Sequence, residues 1–256
     1  MTPSAPLLAA ALLVLLGAGC RGRATPHSEN AAPPRAAPPQ AAPSAPSDGG
    51  LRPLRRTDVC TTLGAARPSP SALFEVRDPK LRATFSGTSG RGAELEFRYL
   101  GGTEQTEKLR SGRERRQLGL ELAAQNTCNL VYVMWRIEPR AELVVSVKQN
   151  PGQTRHAECE NRGYRNLSPT TSAPLPPLAP EAVHRLHAQL DERNVLSVRV
   201  DGAVVWVGRV DAGSLSGSAG MRSDNAMFDV LRLSAETHHA ASDGCTAADP
   251  RGNGDD

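Results

Sequence analysis

Two carboxylates on one strand are the first chemistry this sequence offers. In Ala93-Glu-Leu-Glu-Phe-Arg-Tyr-Leu100 apolar and polar residues alternate, so Glu94, Glu96 and Arg98 share one sheet face and Leu95, Phe97 and Tyr99 the other. A carboxylate pair on one face is the equipment of retaining glycoside hydrolysis, one group acting as nucleophile and one as acid. Adjacent Glu and Arg side chains, however, more often form a salt-bridged sheet surface, and no catalytic residue is expected here. His184 and His187 face opposite ways on a strand, so a shared metal is not expected. Ser223-Asp224-Asn225 has oxygens for calcium, the one cofactor considered, but reads rather as an Asx turn before a last strand. Neither Gly-x-Ser-x-Gly nor His-Glu-x-x-His occurs.

Cysteine supplies the second chemistry. Leu7 to Leu16 is an unbroken run of Leu, Ala and Val, followed by Gly17-Ala-Gly-Cys20. The run falls short of the roughly 20 apolar residues that span a bilayer and has the length of a secretory h-region. Small residues let the backbone enter a narrow peptidase cleft, and Cys20 has the thiol that a diacylglycerol would modify. The pattern resembles the lipobox of bacterial lipoproteins, with Gly17 where Leu is commoner and no Lys or Arg before the run. That resemblance implies a signal peptide over 1–19, lipidation of Cys20 and a membrane partner through the lipid. It places the rest of the chain outside the cytoplasm in a bacterial envelope. Arg21, in place of the Asp that often marks inner-membrane retention, favours the outer membrane.

Residues 20–56 then read as a disordered Ala/Pro-rich tether. The stretch has Pro pairs at 33–34 and 38–39 and no aromatic residue, so it has too little apolar surface to offset its ordering entropy. Proline biases it toward an extended spacer. Beyond Cys20 stand Cys60, Cys128, Cys159 and Cys245, an even number that reads as two disulfides in an exported chain. Three pairings exist; the favoured one joins Cys128 to Cys159 and Cys60 to Cys245, the latter tying the two ends of the domain together.

One domain is expected over 57–236, with a loose polar tail over 237–256. A formal charge of +3 with interspersed acids makes no nucleic-acid surface. The cluster Arg110-Ser-Gly-Arg-Glu-Arg-Arg116 has the charge to touch anionic lipid or polysaccharide but reads as a solvated loop. Leu118, Leu120 and Leu122 alternate, Leu130 to Ile137 is apolar on both faces as in a covered central strand, and Leu143 to Val147 ends at Asn150-Pro-Gly152. Asp201-Gly202 between two alternating runs predicts a two-residue hairpin turn. Its register pairs Val200 with Ala203, Val198 with Val205 and Leu196 with Val207, leaving Val204 and Trp206 on the other face. Pro180 to Asp191 reads as a strand, 213–220 as a Gly/Ser-rich loop and Phe228 to Leu233 as the last strand. The fold class is all-β, an antiparallel two-sheet sandwich or jelly roll.

The C-terminal half carries a second resemblance. Asn194-Val-Leu-Ser-Val-Arg-Val-Asp-Gly-Ala-Val-Val-Trp-Val-Gly208, Gly217-Ser-Ala-Gly-Met-Arg-Ser-Asp-Asn225 and Met227-Phe-Asp-Val-Leu-Arg-Leu233 are similar to the closing strands of concanavalin A-like domains. These are the laminin-G, legume-lectin and glucanase-type jelly rolls, including the keto-disaccharide hydrolase-like group. The resemblance implies two large sheets, one concave, where relatives often bind sugars. Glucanases of this kind carry Glu-x-Asp-x-Glu or Glu-x-Asp-x-x-Glu; here Arg98 stands where a third acid would. The expected function is a surface-tethered, non-catalytic module for polysaccharide or an envelope protein. The alternatives are a keto-disaccharide-type hydrolase and a purely structural envelope protein. Ligand candidates on non-core faces are Glu96, Arg98, Glu121, Arg136, Lys148 and Tyr164, with Gln125, Tyr132, Trp135 and Trp206 nearby. Only 4% of the chain is aromatic, which is thin for a dedicated sugar binder. Arg155 to Arg165 is the densest polar segment, and the bond at Cys159 would pin it over the concave face.

Overall fold

Alternation of the Leu95-x-Phe97-x-Tyr99 kind forces a strand to bury one face. The computed structural model satisfies that demand with two antiparallel sheets packed face to face. It describes residues 50–211, 216–237 and Cys245. The signal peptide, Cys20, the tether up to Gly49, residues 212–215 of the Gly/Ser-rich loop and the tail other than Thr237 and Cys245 lie outside the described residues.

In chain order the strands are β1 (Leu51–Pro53), β2 (Val59–Leu63), β3 (Phe74–Val76), β4 (Lys80–Phe85), β5 (Thr88–Gly102), β6 (Arg116–Asn126), β7 (Asn129–Glu138) and β8 (Glu142–Lys148). A one-turn helix α1 (His156–Cys159) precedes β9 (Tyr164–Asn166), β10 (Thr171–Ser172), β11 (Val183–Leu190), β12 (Val195–Val200), β13 (Ala203–Arg209), β14 (Ser218–Asp224) and β15 (Ala226–Thr237). The first sheet runs β1-β15-β5-β11-β12-β13-β10, with β3 also on β15; the second runs β2-β4-β14-β6-β7-β8-β9. No helix among the described residues is long and apolar enough to cross a membrane.

Inward residues of both sheets merge into one core. Leu95 and Phe97 of the first sheet meet Leu118, Leu120, Val133 and Trp135 of the second, and the Phe97 and Trp135 rings pack edge to face at 6.0 Å. Both disulfides form in the favoured pairing, Cys60–Cys245 and Cys128–Cys159. Pro180 to Asp191 contributes β11, as the alternation predicts.

Three expectations are corrected. The hairpin turn has positive φ at Asp201 and Gly202, but a bulge beside Val198 shifts the register, so Val198 faces Trp206 and Leu196 faces Gly208. The extra residue on β13 lets both Val205 and the Trp206 indole into the core, with the indole lying over the bare Gly208. Residues 218–220, the end of the stretch read as loop, open β14, an interior strand between β4 and β6. Its Gly and Ser carry little strand propensity, yet a Cβ on Gly220 would meet the Ala83 carbonyl at 2.6 Å, so small residues are what the neighbours admit. The paired backbone also begins earlier than 57, because Leu51–Pro53, inside the stretch read as tether, pairs with Ser234–Glu236 of β15.

Candidate functional site

β7 has a second apolar face. Leu130, Tyr132 and Met134 alternate with the core residues and gather with Ala124 on the outer side of the second sheet. Register puts Ser146 of β8 beside Tyr132, Asn166 of β9 beside Ser146, and Tyr164 beside Lys148. Two loops rise over this floor: 103–115 between β5 and β6, and 149–163 between β8 and β9. The groove between them has a volume of about 470 Å³.

The 149–163 loop is fastened at several points. The Cys128–Cys159 disulfide ties α1 to the start of β7. Asn129 donates to Gln153 O at 2.8 Å and accepts from Asn150 N at 2.8 Å. Glu158 accepts from the backbone N–H groups of Thr154 and Arg155, and these bonds hold its carboxyl down to about 2. Lys148 Nζ, fully buried, donates to Thr127 O at 3.1 Å and lies 3.2 Å from His156 Nδ1. Gly163 is required by its close approach to the chain, since a Cβ there would meet Gln149 O at 2.4 Å.

The arginine loop is held from below by one residue. Asn225, at φ 53° in the turn between β14 and β15, donates from Nδ2 to Glu107 O (2.8 Å) and Arg115 O (2.9 Å). Its Oδ1 accepts from Glu107 N at 2.8 Å. Leu109 N donates to Arg113 O, closing the loop's tip. The cluster is an exposed loop over 110–114, as read from sequence, and its Arg110, Arg113 and Arg115 also form one wall of the groove.

Seven basic side chains line the groove: Lys80, Arg82, Arg110, Arg113, Arg115, Arg136 and Arg222. None of the lining residues is a carboxylate. Four of the seven have an acid behind them: Lys80 pairs with Glu107, Arg110 with Glu160, Arg136 with Glu142 and Arg222 with Asp224. Burial would raise the Asp224 carboxyl, but Arg222 and the Gln117 amide outweigh it and hold it below the usual range. Arg113 and Arg115 form no ion pair among the described residues. Burial, and next the guanidiniums of Arg136 and Arg113, pull the Arg115 pKa below its ordinary value.

Tyrosines make the apolar part. Tyr164, 41% exposed, stacks on the buried Tyr132 with ring centres 5.8 Å apart. Lys148 Nζ lies 5.0 Å from the Tyr164 ring and the Arg222 guanidinium 5.6 Å from the Tyr132 ring, so both rings are braced by cations. Burial pushes the Tyr132 phenol well up, and its Oη makes no hydrogen bond within the described residues. That leaves a neutral O–H donor buried in the lining.

The candidates named from sequence divide between the two sides of the sandwich. Arg136 and Tyr164 line the groove. Lys148 and Glu121 lie on the same face but are buried beneath it, Lys148 under Tyr164 and Glu121 beside Tyr132. Glu96 and Arg98 are on the outer face of the first sheet and cannot join them. There Arg185 bonds Glu96 at 3.0 Å and lies 3.5 Å from Glu94, while Arg98 pairs with Asp229 at 3.6 Å. The His187 hydrogen bond, then Arg185, holds the Glu94 carboxyl below its usual range. The carboxylate pair is part of a salt-bridged surface. Trp135 and Trp206 are core residues, and Gln125 is exposed outside the groove. His184 points inward to Asp201 and His187 outward to Glu94, as their spacing predicts. Among the described residues no group of three or more His, Cys, Asp or Glu is placed to hold a metal ion.

Sequence reasoning missed Lys80, Arg82 and Arg222, which sit on strands flanking the floor. Only polar residues at alternate positions of β4 and β14 signalled them.

No family model matches the chain, and no curated protein matches its sequence. Among solved structures it is similar to the carbohydrate-binding module CBM66 from Bacillus subtilis, at 11% identity over 71% of this chain and 94% of that one, TM-score 0.47. It is similar to the carbohydrate recognition domain of Emp46p in its metal-free form, at 12% identity over 70% and 87%, TM-score 0.44. A tetrameric galectin from the ball sponge Cinachyrella sp. follows at 11% identity over 62% and 99%, TM-score 0.37. Likeness at this level assigns no ligand to this chain.

Proposed function

We propose that this chain is a lipid-anchored protein of the bacterial outer membrane whose sandwich is a non-catalytic carbohydrate-binding head. The groove over β7, β8 and β9 is its site. The observation that carries the reading is the exposed Tyr164 ring inside a cavity of about 470 Å³ that also holds amides, a hydroxyl and guanidiniums. Small-ligand sites fall between roughly 300 and 1,000 Å³ and combine an apolar surface with a few placed polar groups. The apolar face of a sugar ring stacks on Tyr164, while Ser146, Asn161, Asn166 and Arg136 address its hydroxyls. The lining has no carboxylate to serve as nucleophile or acid, which favours binding over glycoside hydrolysis. Lipid on Cys20 and the Ala/Pro stretch after it would hold the head away from the bilayer.

The test is a glycan array probed with the full-length protein, followed by Tyr164→Ala. Saccharide binding that weakens about tenfold or more in the variant, with an unchanged denaturation midpoint, supports the reading. Absence of binding to every saccharide overturns it, as does binding that ignores Tyr164. Cys20→Ser tests the anchor: the protein should leave the membrane fraction, and retention there contradicts lipidation.

A further inference from the structure

We infer that the saccharide this groove takes is anionic, carrying a carboxylate or a sulfate ester that docks between Arg113, Arg115 and Arg136. The inference rests on the carbohydrate reading and sharpens it to a ligand class.

Charge distribution makes the case. The seven basic side chains that line the groove converge on one cavity, and the acids paired with four of them stand outside the lining. Arg113 and Arg115 have no acid of their own among the described residues, although Arg115 is half-buried. A cavity with low-dielectric walls and one sign of charge focuses its field on whatever enters. Guanidiniums present planar donor forks that match carboxylate and sulfate oxygens, and such charge-assisted bonds are about twice as strong as neutral ones. The buried Tyr132 Oη adds a neutral donor without a partner. A neutral sugar would ask the groove for acceptors as well as donors, since each hydroxyl does both. Here the seven cations only donate, and the acceptors are confined to a few amide and hydroxyl oxygens such as those of Ser146, Asn161 and Asn166. Burial first, and then the neighbouring guanidiniums of Arg136 and Arg113, depress the Arg115 pKa, with Asp224 opposing them.

The positions also argue for a saccharide over a nucleic-acid strand. The cations gather around one open groove rather than track along a ridge, one exposed tyrosine stands among them, and the chain as a whole carries only +3. Asn225 links this charge to the fold by holding Arg115 and Glu107 in place.

The experiment titrates the full-length protein calorimetrically with four probes: an oligogalacturonate, the same oligomer fully methyl-esterified, unsulfated chondroitin oligosaccharide and its 4-sulfated form. Affinity should fall as salt rises, and for a docked carboxylate the free acid should bind about tenfold or more tightly than its ester. If the carboxylate is the docked group, unsulfated chondroitin already binds; if sulfate is, only the 4-sulfated form does. Arg113→Gln with Arg115→Gln, both away from the core, should shrink the acid-over-ester preference about tenfold. Equal binding of acid and ester, together with no preference for 4-sulfated over unsulfated chondroitin, overturns the inference and leaves the carbohydrate reading standing. Binding of no saccharide overturns both. Tighter binding of a single-stranded oligonucleotide of equal charge overturns it in favour of a general polyanion surface.

Discussion

Asn225→Gly is the substitution that separates the arginine loop from the rest of the sandwich. It keeps the left-handed backbone at φ 53° and removes the three side-chain bonds to Glu107 and Arg115, all between 2.8 and 2.9 Å. At about 1 kcal/mol net for each bond the loss approaches 3 kcal/mol. Glu107 is exposed and can turn to water, which brings the expected figure to about 2–3 kcal/mol. The 104–115 segment has few buried side chains, so the loss should emerge as local opening rather than global unfolding. Native-state hydrogen exchange reads it directly. The Glu107 amide should exchange roughly 30- to 150-fold faster, since about 1.4 kcal/mol is a factor of ten, while the urea midpoint moves little. Asn225→Ala should lose about 1 kcal/mol more, because a Cβ is disfavoured in the left-handed region. Asn225→Asp should also fall below the glycine variant, because it sets a carboxylate oxygen against the carbonyls of Glu107 and Arg115. Unchanged protection of Glu107 in the glycine variant would refute the clamp.

Three further predictions concern the scaffold. Replacing Cys128 and Cys159 by Ser opens a loop closed over a sequence separation of 31, which the chain-entropy model values at roughly 3–4 kcal/mol; denaturant unfolding should show that loss, and a change under 1 kcal/mol would speak against it. The Glu158 carboxyl, held by backbone N–H donors, should titrate near 2 instead of its ordinary 4.5. Because the folded state favours the ionised form, its contribution is complete above that ordinary value and disappears as pH falls toward 2; a carbon-detected NMR titration with a midpoint above 4 would contradict this. Gly208→Ala places a Cβ about 2.6 Å from the Trp206 ring, and should lower stability by about 1–3 kcal/mol through displacement of the indole; a neutral effect in thermal denaturation would count against the bulged register.

Fold class was readable because one-sided burial imposes a period of two, and β5, β6, β11 and β12 carry that period in Leu, Phe and Val. β14 was not, since its neighbours demand small residues and small residues look like loop. The Val198 bulge was equally hidden, because a perfect Asp-Gly turn fixes the register only at its own end. Alternation also explains the divided site. It tells a core face from an outer face, but a sandwich has two outer faces, and nothing in Glu96 or Arg98 says which one they occupy. Arg136 and Tyr164 were found as polar or aromatic residues at outward positions of the second sheet. Lys148 has the same pattern, yet Tyr164, Thr127 and His156 close over it. Arg113 and Arg115 carry no site signal in the sequence, because charged loops are solvated by default. What folds this one inward is Asn225, more than a hundred residues away in the chain, a partner that only the tertiary structure provides.

The central claim is that saccharide sits against Tyr164 on the outer face of the second sheet. A crystal structure of the full-length protein soaked with a bound saccharide tests it most directly. The account predicts a sugar ring within about 4 Å of the Tyr164 ring, between Arg136 and the loop that carries Arg113 and Arg115. A saccharide found instead on the first sheet, against Glu94, Glu96 and Arg185, would contradict it.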